Sequence, residues 1–188
     1  PINLAVHMQP LFKPLTVPWH AVSRASFRPE DTVFVVGGEP IGLAVIQVLK
    51  ARGVKSIIVS EVSSQRKKFA RQLGATEVFD PRTDDIVASV RAMTAGGGAA
   101  IAFECSGVQV GLDTAVQAIG ARGTVTIVSL WEEKPKIDAL DMVLHEKHII
   151  GAVICDDGDF EAVIDAISSG TFLLPYGARL LLVMLTSI

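Results

Sequence analysis

The chain has 188 residues, of which 49% are hydrophobic and 20% are charged, and its formal net charge is -3. This length can enclose one domain with a sizeable core. A mildly acidic chain with no basic cluster beyond residues 66–68 is not expected to bind nucleic acid, and the apolar residues 180–185 are too few to span a bilayer.

The cysteine content predicts a reducing compartment. The two cysteines, Cys105 and Cys155, are too few for a disulfide framework or a four-cysteine zinc site. The first residues, PINLAVHMQPLFKP, lack the basic start and the long apolar core of a signal peptide. We therefore expect two buried thiols in a cytoplasmic protein that has no membrane partner.

Strands and helices alternate along most of the chain. Residues 32–36, TVFVV, form a β-branched apolar run that is typical of a buried strand. The apolar pattern from Pro40 predicts a helix that ends at Gly53. Further strands are predicted at residues 56–60, 78–79, 99–103 and 124–128.

Capping residues mark the intervening helices. Ser63 or Ser64 can cap a helix that stops at Gly74, and Thr83 can cap a helix that runs to about Met93. Another helix is predicted over about residues 110–119. This alternation predicts an α/β fold with a doubly wound parallel sheet, in three layers.

The last third of the chain is more varied. It contains a short predicted helix, DALDMVLHE, a predicted strand, HIIGAVI, and a helix that opens at Asp159 and ends at Gly170. We divide the chain into a connecting segment and helix (1–30), a dinucleotide-binding domain (31–170) and an atypical apolar tail (171–188).

The stretch VVGGEPIG after the first strand resembles a dinucleotide-binding turn. In the pattern G-x-G-x-x-G, the first glycine makes the turn, the second lets the backbone approach the phosphates and the third lets the helix pack closely. Gly37 and Gly42 fill the first and third places, and Glu39 occupies the second. Pro40 suits the first turn of a helix.

Glu61 ends the second predicted strand, about 20 residues beyond the turn, where an acid that binds ribose is expected. A carboxylate there can accept both ribose hydroxyls but repels a 2′-phosphate, so it favours NAD over NADP. The alternative is that Glu61 is a solvated residue at a strand end. A carboxylate at Glu39, 4 Å from a phosphate, would repel it by about 4 kcal/mol at an effective dielectric of 20. Its Cβ could also conflict with a glycine conformation, so we predict weak NAD binding.

The segments TVFVVGGEPIG, FECSG and HEKHIIG, together with their flanks over residues 10–170, resemble the cofactor domain of medium-chain zinc-dependent alcohol and polyol dehydrogenases. The sorbitol and 2,3-butanediol dehydrogenase branch is the most similar. The resemblance implies a Rossmann fold and NAD-linked oxidation of a secondary alcohol or diol to a ketone. It also implies that the strand at residues 149–154 pairs with its copy in a homodimer.

The resemblance implies a role for each candidate site residue. It places the pyrophosphate at Gly37, Gly38, Pro40, Ile41 and Gly42. It places the adenosine ribose at Glu61, and it implies that Arg66 is a basic side chain beside the adenosine. It places the nicotinamide and its ribose beside Cys105, Ser106, Gly107, Ser129, Leu130 and Trp131.

The same family carries a preceding GroES-like barrel domain that supplies ligands to a catalytic zinc, and nothing in this sequence matches it. A further ligand normally lies in a Glu-Pro-Leu triplet of the connecting helix, where this chain has Lys13. The four histidines, His7, His20, His145 and His148, show no ligand spacing with a cysteine or an acid. We therefore expect no metal site in this chain.

Three functions remain open at this point. The chain is an NAD-binding domain of a polyol or alcohol dehydrogenase, weak or inactive alone, with NAD(H) and a small alcohol as partners. Alternatively, it is a non-catalytic cofactor-binding or dimerisation module, or a truncated gene product. A zinc-free NADPH-dependent reductase is a weaker rival, because Glu61 opposes a 2′-phosphate.

Overall fold

The structure, a computed structural model, describes residues 9–169, with side chains from Leu15 onward. The predictions for His7, Lys13 and residues 171–188 lie outside the described side chains. The helices are α1 (Gln9–Arg24), α2 (Pro40–Ala51), α3 (Ser64–Gln72), α4 (Ile86–Met93), α5 (Gln109–Ala118), α6 (Ala139–Leu144) and α7 (Asp157–Ser168). The strands are β1 (Thr32–Val36), β2 (Ser56–Ser60), β3 (Glu77–Phe79), β4 (Ala99–Glu104), β5 (Ile119–Ile127) and β6 (His148–Gly151).

The six strands form one sheet in the order β3-β2-β1-β4-β5-β6, and every neighbouring pair is parallel. The chain starts in the middle of the sheet, builds outward to β3, and then returns to build the other half from β4. The order therefore reverses between β1 and β4, which is where doubly wound sheets bind ligands. The predicted fold class is confirmed.

Alternate residues of the central strands point to two apolar layers. On β1, Val35 packs with α1, α2 and α7, whereas Phe34 packs on the opposite face with α4 and α5. Phe34 and Phe103 are fully buried, one on each face. Burial of each such side chain stabilises the fold by about 1.5–3 kcal/mol. The central strands are therefore held in place by packing on both faces.

Helix α4 begins later than predicted, because its capping residue is Asp85 and not Thr83. The Asp85 carboxylate accepts a hydrogen bond from the Ala88 N–H at 3.0 Å. Thr83 instead bonds the Asp80 carbonyl in the preceding turn. Threonine and aspartate are both common capping residues, so the sequence alone does not show which of the two caps the helix. The conformation of the folded turn determines it.

The bounds of β5 and β6 also differ from the prediction. Strand β5 starts at Ile119, where Ile119 pairs with Ala99 before a register irregularity. Strand β6 stops at Gly151, so Val153 and Ile154 lie outside it and are 65% and 66% exposed. The apolar pattern of residues 149–154 therefore marks an exposed surface as well as a strand.

Helix α7 begins two residues before the predicted Asp159. Asp156 and Asp159 form a reciprocal capping box, in which each side chain accepts the other residue's backbone N–H. Among the described residues, no helix is both long and apolar enough to cross a membrane.

Candidate functional site

The phosphate turn, residues 37–42, joins β1 to α2 at the carboxyl edge of the sheet. Gly37 has φ +91°, a conformation that favours glycine, and its N–H donates to the Ser60 carbonyl at 2.9 Å. A Cβ on Gly42 would lie 2.0 Å from the Gly37 carbonyl oxygen, so only glycine lets the helix start this close to the turn. Pro40 is at the start of α2. The turn therefore has the close helix–strand approach that phosphate-binding turns require.

Glu39 is accommodated by the backbone of this turn. Its φ of −69° and ψ of 173° are open to any residue, so the sequence-based concern about a glycine conformation does not apply. The side chain is 56% exposed, and its Oε1 lies 3.6 Å from the Arg66 Nη1. Only the charge and the bulk of Glu39 then oppose a phosphate.

Glu61 follows β2 and lies beside the turn. One carboxylate oxygen accepts the Gly38 N–H at 2.6 Å, and the other accepts the Ser63 N–H at 2.6 Å and the Arg66 Nη2 at 2.9 Å. The side chain is only 2% exposed. A Cβ on Gly38 would lie 3.0 Å from this carboxylate, so glycine at position 38 permits the contact. Glu61 is therefore a fixed part of the turn and not a solvated strand end.

A first cleft of about 250 Å³ opens between the phosphate turn, Glu61 and the start of α5. Its polar lining residues are Ser60, Thr114, Ser106, Glu39, Glu61 and Arg66. Its apolar wall comes from Val36, Val62, Pro81, Val108 and Val110. The sequence did not predict this wall, because its residues come from the end of β1, two loops and the start of α5, and such scattered apolar residues carry no periodic signal.

Arg66 lines this cleft and also carries a buried donor without a partner. Its guanidinium contacts both Glu39 and Glu61, yet among the described residues its buried Nε–H has no hydrogen-bond partner. Buried donors are normally satisfied. Because this Nε–H is buried, a ligand in the first cleft could bond it only if the Arg66 side chain moved.

A second cleft of about 510 Å³ continues past Ser106 along the ends of β4 and β5. Ser106, Gly107, Leu130 and Trp131 line it, and Leu130 is 87% exposed. The two clefts share Ser106 and Val108, so together they form one groove along the carboxyl edge of the sheet. Seven of the thirteen predicted site residues line this groove: Gly37, Glu61, Arg66, Ser106, Gly107, Leu130 and Trp131.

Six predicted site residues do not line the groove: Gly38, Pro40, Ile41, Gly42, Cys105 and Ser129. The Cys105 side chain is buried in the core below the turn, and Ile41 packs against the same core. Burial raises the pKa of the Cys105 thiol, and the charges of Glu104 and Glu39 raise it further. The thiol therefore stays protonated and unreactive at neutral pH.

A charged cluster fixes the loop that carries Pro81. Asp80 accepts hydrogen bonds from Arg82 and from Lys67, the latter at 2.7 Å, and Arg82 also donates to the Val62 carbonyl at 2.8 Å. The hydrogen bonds from Arg82 and then from Lys67 hold the pKa of Asp80 well below its usual range. The loop after β3 is thereby tied to the loop after β2, and both contribute to the wall of the first cleft.

One group of possible metal ligands occurs among the described residues. His20, Asp156 and Asp159 place one ligand atom each within 4.8 Å of one another, although residues 20 and 159 are far apart in sequence. The sequence analysis found no ligand spacing around His20, and this group shows none either, because its members meet only in the folded chain. However, His20 bonds Asp159 at 2.5 Å and both aspartates cap α7, so the group does not fit the open site of a catalytic zinc.

Comparison with known proteins shows the family to which this chain belongs. The family model described as zinc-binding dehydrogenase matches residues 40–169. An (R,R)-butanediol dehydrogenase of Saccharomyces cerevisiae is 35% identical over 174 residues, which cover 90% of this chain and 45% of that protein. This chain therefore spans about half the length of the curated relatives it matches.

Solved structures agree with the sequence comparison. The crystal structure of 2R,3R-butanediol dehydrogenase from Bacillus subtilis matches with a TM-score of 0.85 and 36% identity, over 90% of this chain and 48% of that one. A zinc-binding dehydrogenase from Sinorhizobium meliloti, solved with NADP bound, matches with a TM-score of 0.83 and 27% identity, over 92% and 51% of the two chains. The predicted resemblance is confirmed: this chain belongs to the zinc-dependent medium-chain dehydrogenases and corresponds to their NAD-binding domain.

Proposed function

We propose that the chain is the NAD-binding part of an NAD-dependent dehydrogenase that oxidises a secondary alcohol or a vicinal diol to a ketone. The observation that carries this proposal is the buried Glu61 carboxylate, bonded to Gly38 of the phosphate turn at the point where the sheet order reverses. The butanediol dehydrogenases among its relatives support the substrate class. The cofactor itself supplies the hydride chemistry when bound.

The residues of the groove position the cofactor. The N–H groups at the start of α2 would face the pyrophosphate, and Glu61 would accept the adenosine-ribose hydroxyls once its bonds to Arg66 and Ser63 adjust. The apolar wall, with Val62 and Pro81, would hold the adenine. An acid in the place of Glu61 favours NAD over a cofactor that carries a 2′-phosphate. Glu39 weakens this binding without abolishing the site.

In this proposal the chain alone has no steady turnover, because the described residues include no group that fits a catalytic zinc. The test adds NAD and either 2,3-butanediol or sorbitol to the purified chain and follows NADH absorbance, with NAD binding measured by calorimetry. We expect weak, saturable binding and no NADH production. Steady zinc-dependent production would contradict the absence of turnover, and no binding by either the wild-type chain or Glu39→Gly would contradict the proposed function.

A non-catalytic module descended from such an enzyme is the second candidate, and Glu39 is the observation that favours it. Its carboxylate lies in the place of the second glycine and contacts Arg66 across the first cleft.

We further propose that the chain forms a homodimer through the edge of β6. Among the described residues this strand is at the edge of the sheet, and exposed apolar side chains lie near it in sequence: Leu140 (67%) and Val143 (74%) on α6, and Val153 (65%) and Ile154 (66%) just after the strand. An exposed strand edge with an apolar border favours pairing with a second copy. Sedimentation equilibrium should give a dimer for the wild-type chain and a monomer for Val153→Lys. A wild-type monomer at all concentrations would contradict this proposal.

A further inference from the structure

Glu104, at the carboxyl end of β4, is a buried acid that the sequence analysis did not single out. Its side chain is fully buried. One carboxylate oxygen accepts the Ser106 N–H at 2.8 Å, the Ser106 hydroxyl at 2.5 Å and the Gly107 N–H at 3.0 Å. The other oxygen accepts the Ser129 hydroxyl. One side chain therefore joins the loop after β4 to the loop after β5.

These bonds stabilise a carboxylate but bring no positive charge to Glu104. Three donors on one oxygen suit an ionised carboxylate, which only accepts hydrogen bonds. Among the described residues, no lysine, arginine or histidine lies within ion-pair distance of it, so its four donors are all neutral. A buried carboxylate without a cation is costly, and a neutral amide could accept most of the same bonds. A cation that arrives with the ligand would account for the acid.

The location of Glu104 indicates which part of the ligand would carry the positive charge. Ser106 and Gly107, which its carboxylate holds, line the second cleft together with Leu130. If the proposed function is right, the nicotinamide end of the cofactor lies along this part of the groove. The nicotinamide ring is cationic in NAD+ and neutral in NADH. The charge of the ring therefore changes near a buried negative charge.

We propose that Glu104 is a positioning residue for the nicotinamide end of the cofactor, and that its charge raises the affinity for NAD+ relative to NADH. This proposal rests on the proposed function. Its hydrogen bonds set the shape of the second cleft, and its charge distinguishes the two redox states. Salt and solvent screen a buried charge far less than a surface charge, so the effect should reach about three- to tenfold in relative affinity.

The test compares the wild-type chain with Glu104→Gln, which keeps the size and most acceptor bonds but removes the charge. Calorimetry with NAD+, NADH and AMP gives three dissociation constants for each protein. We expect Glu104→Gln to weaken NAD+ binding about fivefold more than NADH binding and to leave AMP binding unchanged, because AMP occupies the adenosine half alone. An equal loss for NAD+ and NADH, or no loss for either, would overturn the proposal.

Ser129→Ala provides a second variant that keeps the charge and tests the positioning even if Glu104→Gln fails to fold. It removes the donor on the second carboxylate oxygen. Both cofactors should bind about threefold more weakly, with their affinity ratio unchanged; unchanged binding of both would overturn the positioning role. Failure of both the wild-type chain and Glu39→Gly to bind either cofactor would instead refute the proposed function, which is a distinct result.

Discussion

Replacing Glu39 with glycine should tighten the binding of NAD to this chain about tenfold, which corresponds to about 1.4 kcal/mol. The bare repulsion between a carboxylate and a phosphate at 4 Å is about 4 kcal/mol at an effective dielectric of 20. The contact with Arg66 at 3.6 Å and the 56% exposure of Glu39 both reduce this repulsion. Calorimetric titration of both proteins with NAD measures the difference.

The change in affinity can be separated from changes in stability and from steric effects. The backbone of Glu39 has an ordinary extended conformation and its side chain makes no capping bond, so its replacement by glycine should change stability by only a few tenths of a kcal/mol. The variant Glu39→Gln removes the charge but keeps the bulk. We expect Glu39→Gln to recover part of the gain, and the remainder measures steric exclusion. Equal affinities for the wild-type chain and both variants would show that the phosphates do not bind near this turn.

Replacing Gly42 with alanine should lower the free energy of unfolding by about 2 kcal/mol and abolish NAD binding. In an ordinary helix this change would stabilise by up to about 1 kcal/mol, because glycine is the poorer helix former. Here the added Cβ would lie 2.0 Å from the Gly37 carbonyl oxygen, which is backbone and cannot rotate away. Overpacking of this kind costs about 1–3 kcal/mol or more, so the sign of the effect reverses. The melting temperature should fall by roughly 4–8 °C.

Gly151→Ala is the matched control for this prediction. A Cβ at Gly151 meets no atom within 4 Å, and Gly151 has no positive φ. Its replacement should therefore leave stability within about 0.5 kcal/mol of the wild-type value when the two proteins are compared in the same oligomeric state, since Gly151 lies in the strand of the proposed dimer. A stabilised Gly42→Ala variant that still bound NAD would mean that α2 does not start as close to β1 as described.

The sequence predicted the parts of the fold that depend on local pattern. The apolar runs that became β1 and β2 have the predicted bounds, since buried parallel strands are short and apolar on both faces. The turn between Gly37 and Gly42 was also recognisable, because glycine has few substitutes where φ is positive or the backbone is crowded. These features concern neighbouring residues, and a single sequence records them directly.

Other parts of the site depend on residues that meet only in the folded chain. Glu104 ends an apolar strand, and only its contacts with Ser106, Gly107 and Ser129 distinguish it from a solvated acid. The position of Glu104 in the sequence could have indicated its role, because a carboxylate at the end of a buried strand needs hydrogen-bond donors. His20 and Asp159 lie on different helices, and no spacing rule connects them.

The central claim is that the groove along the carboxyl ends of β1, β2 and β4 binds NAD. Titration of the ¹⁵N-labelled full chain with NAD, followed by NMR, tests it most directly. We expect the amide signals of Gly37, Gly38, Gly42, Glu61 and Ser106 to shift and to saturate together. Shifts that map to another part of the chain, or none at all for both the wild-type chain and Glu39→Gly, would contradict it.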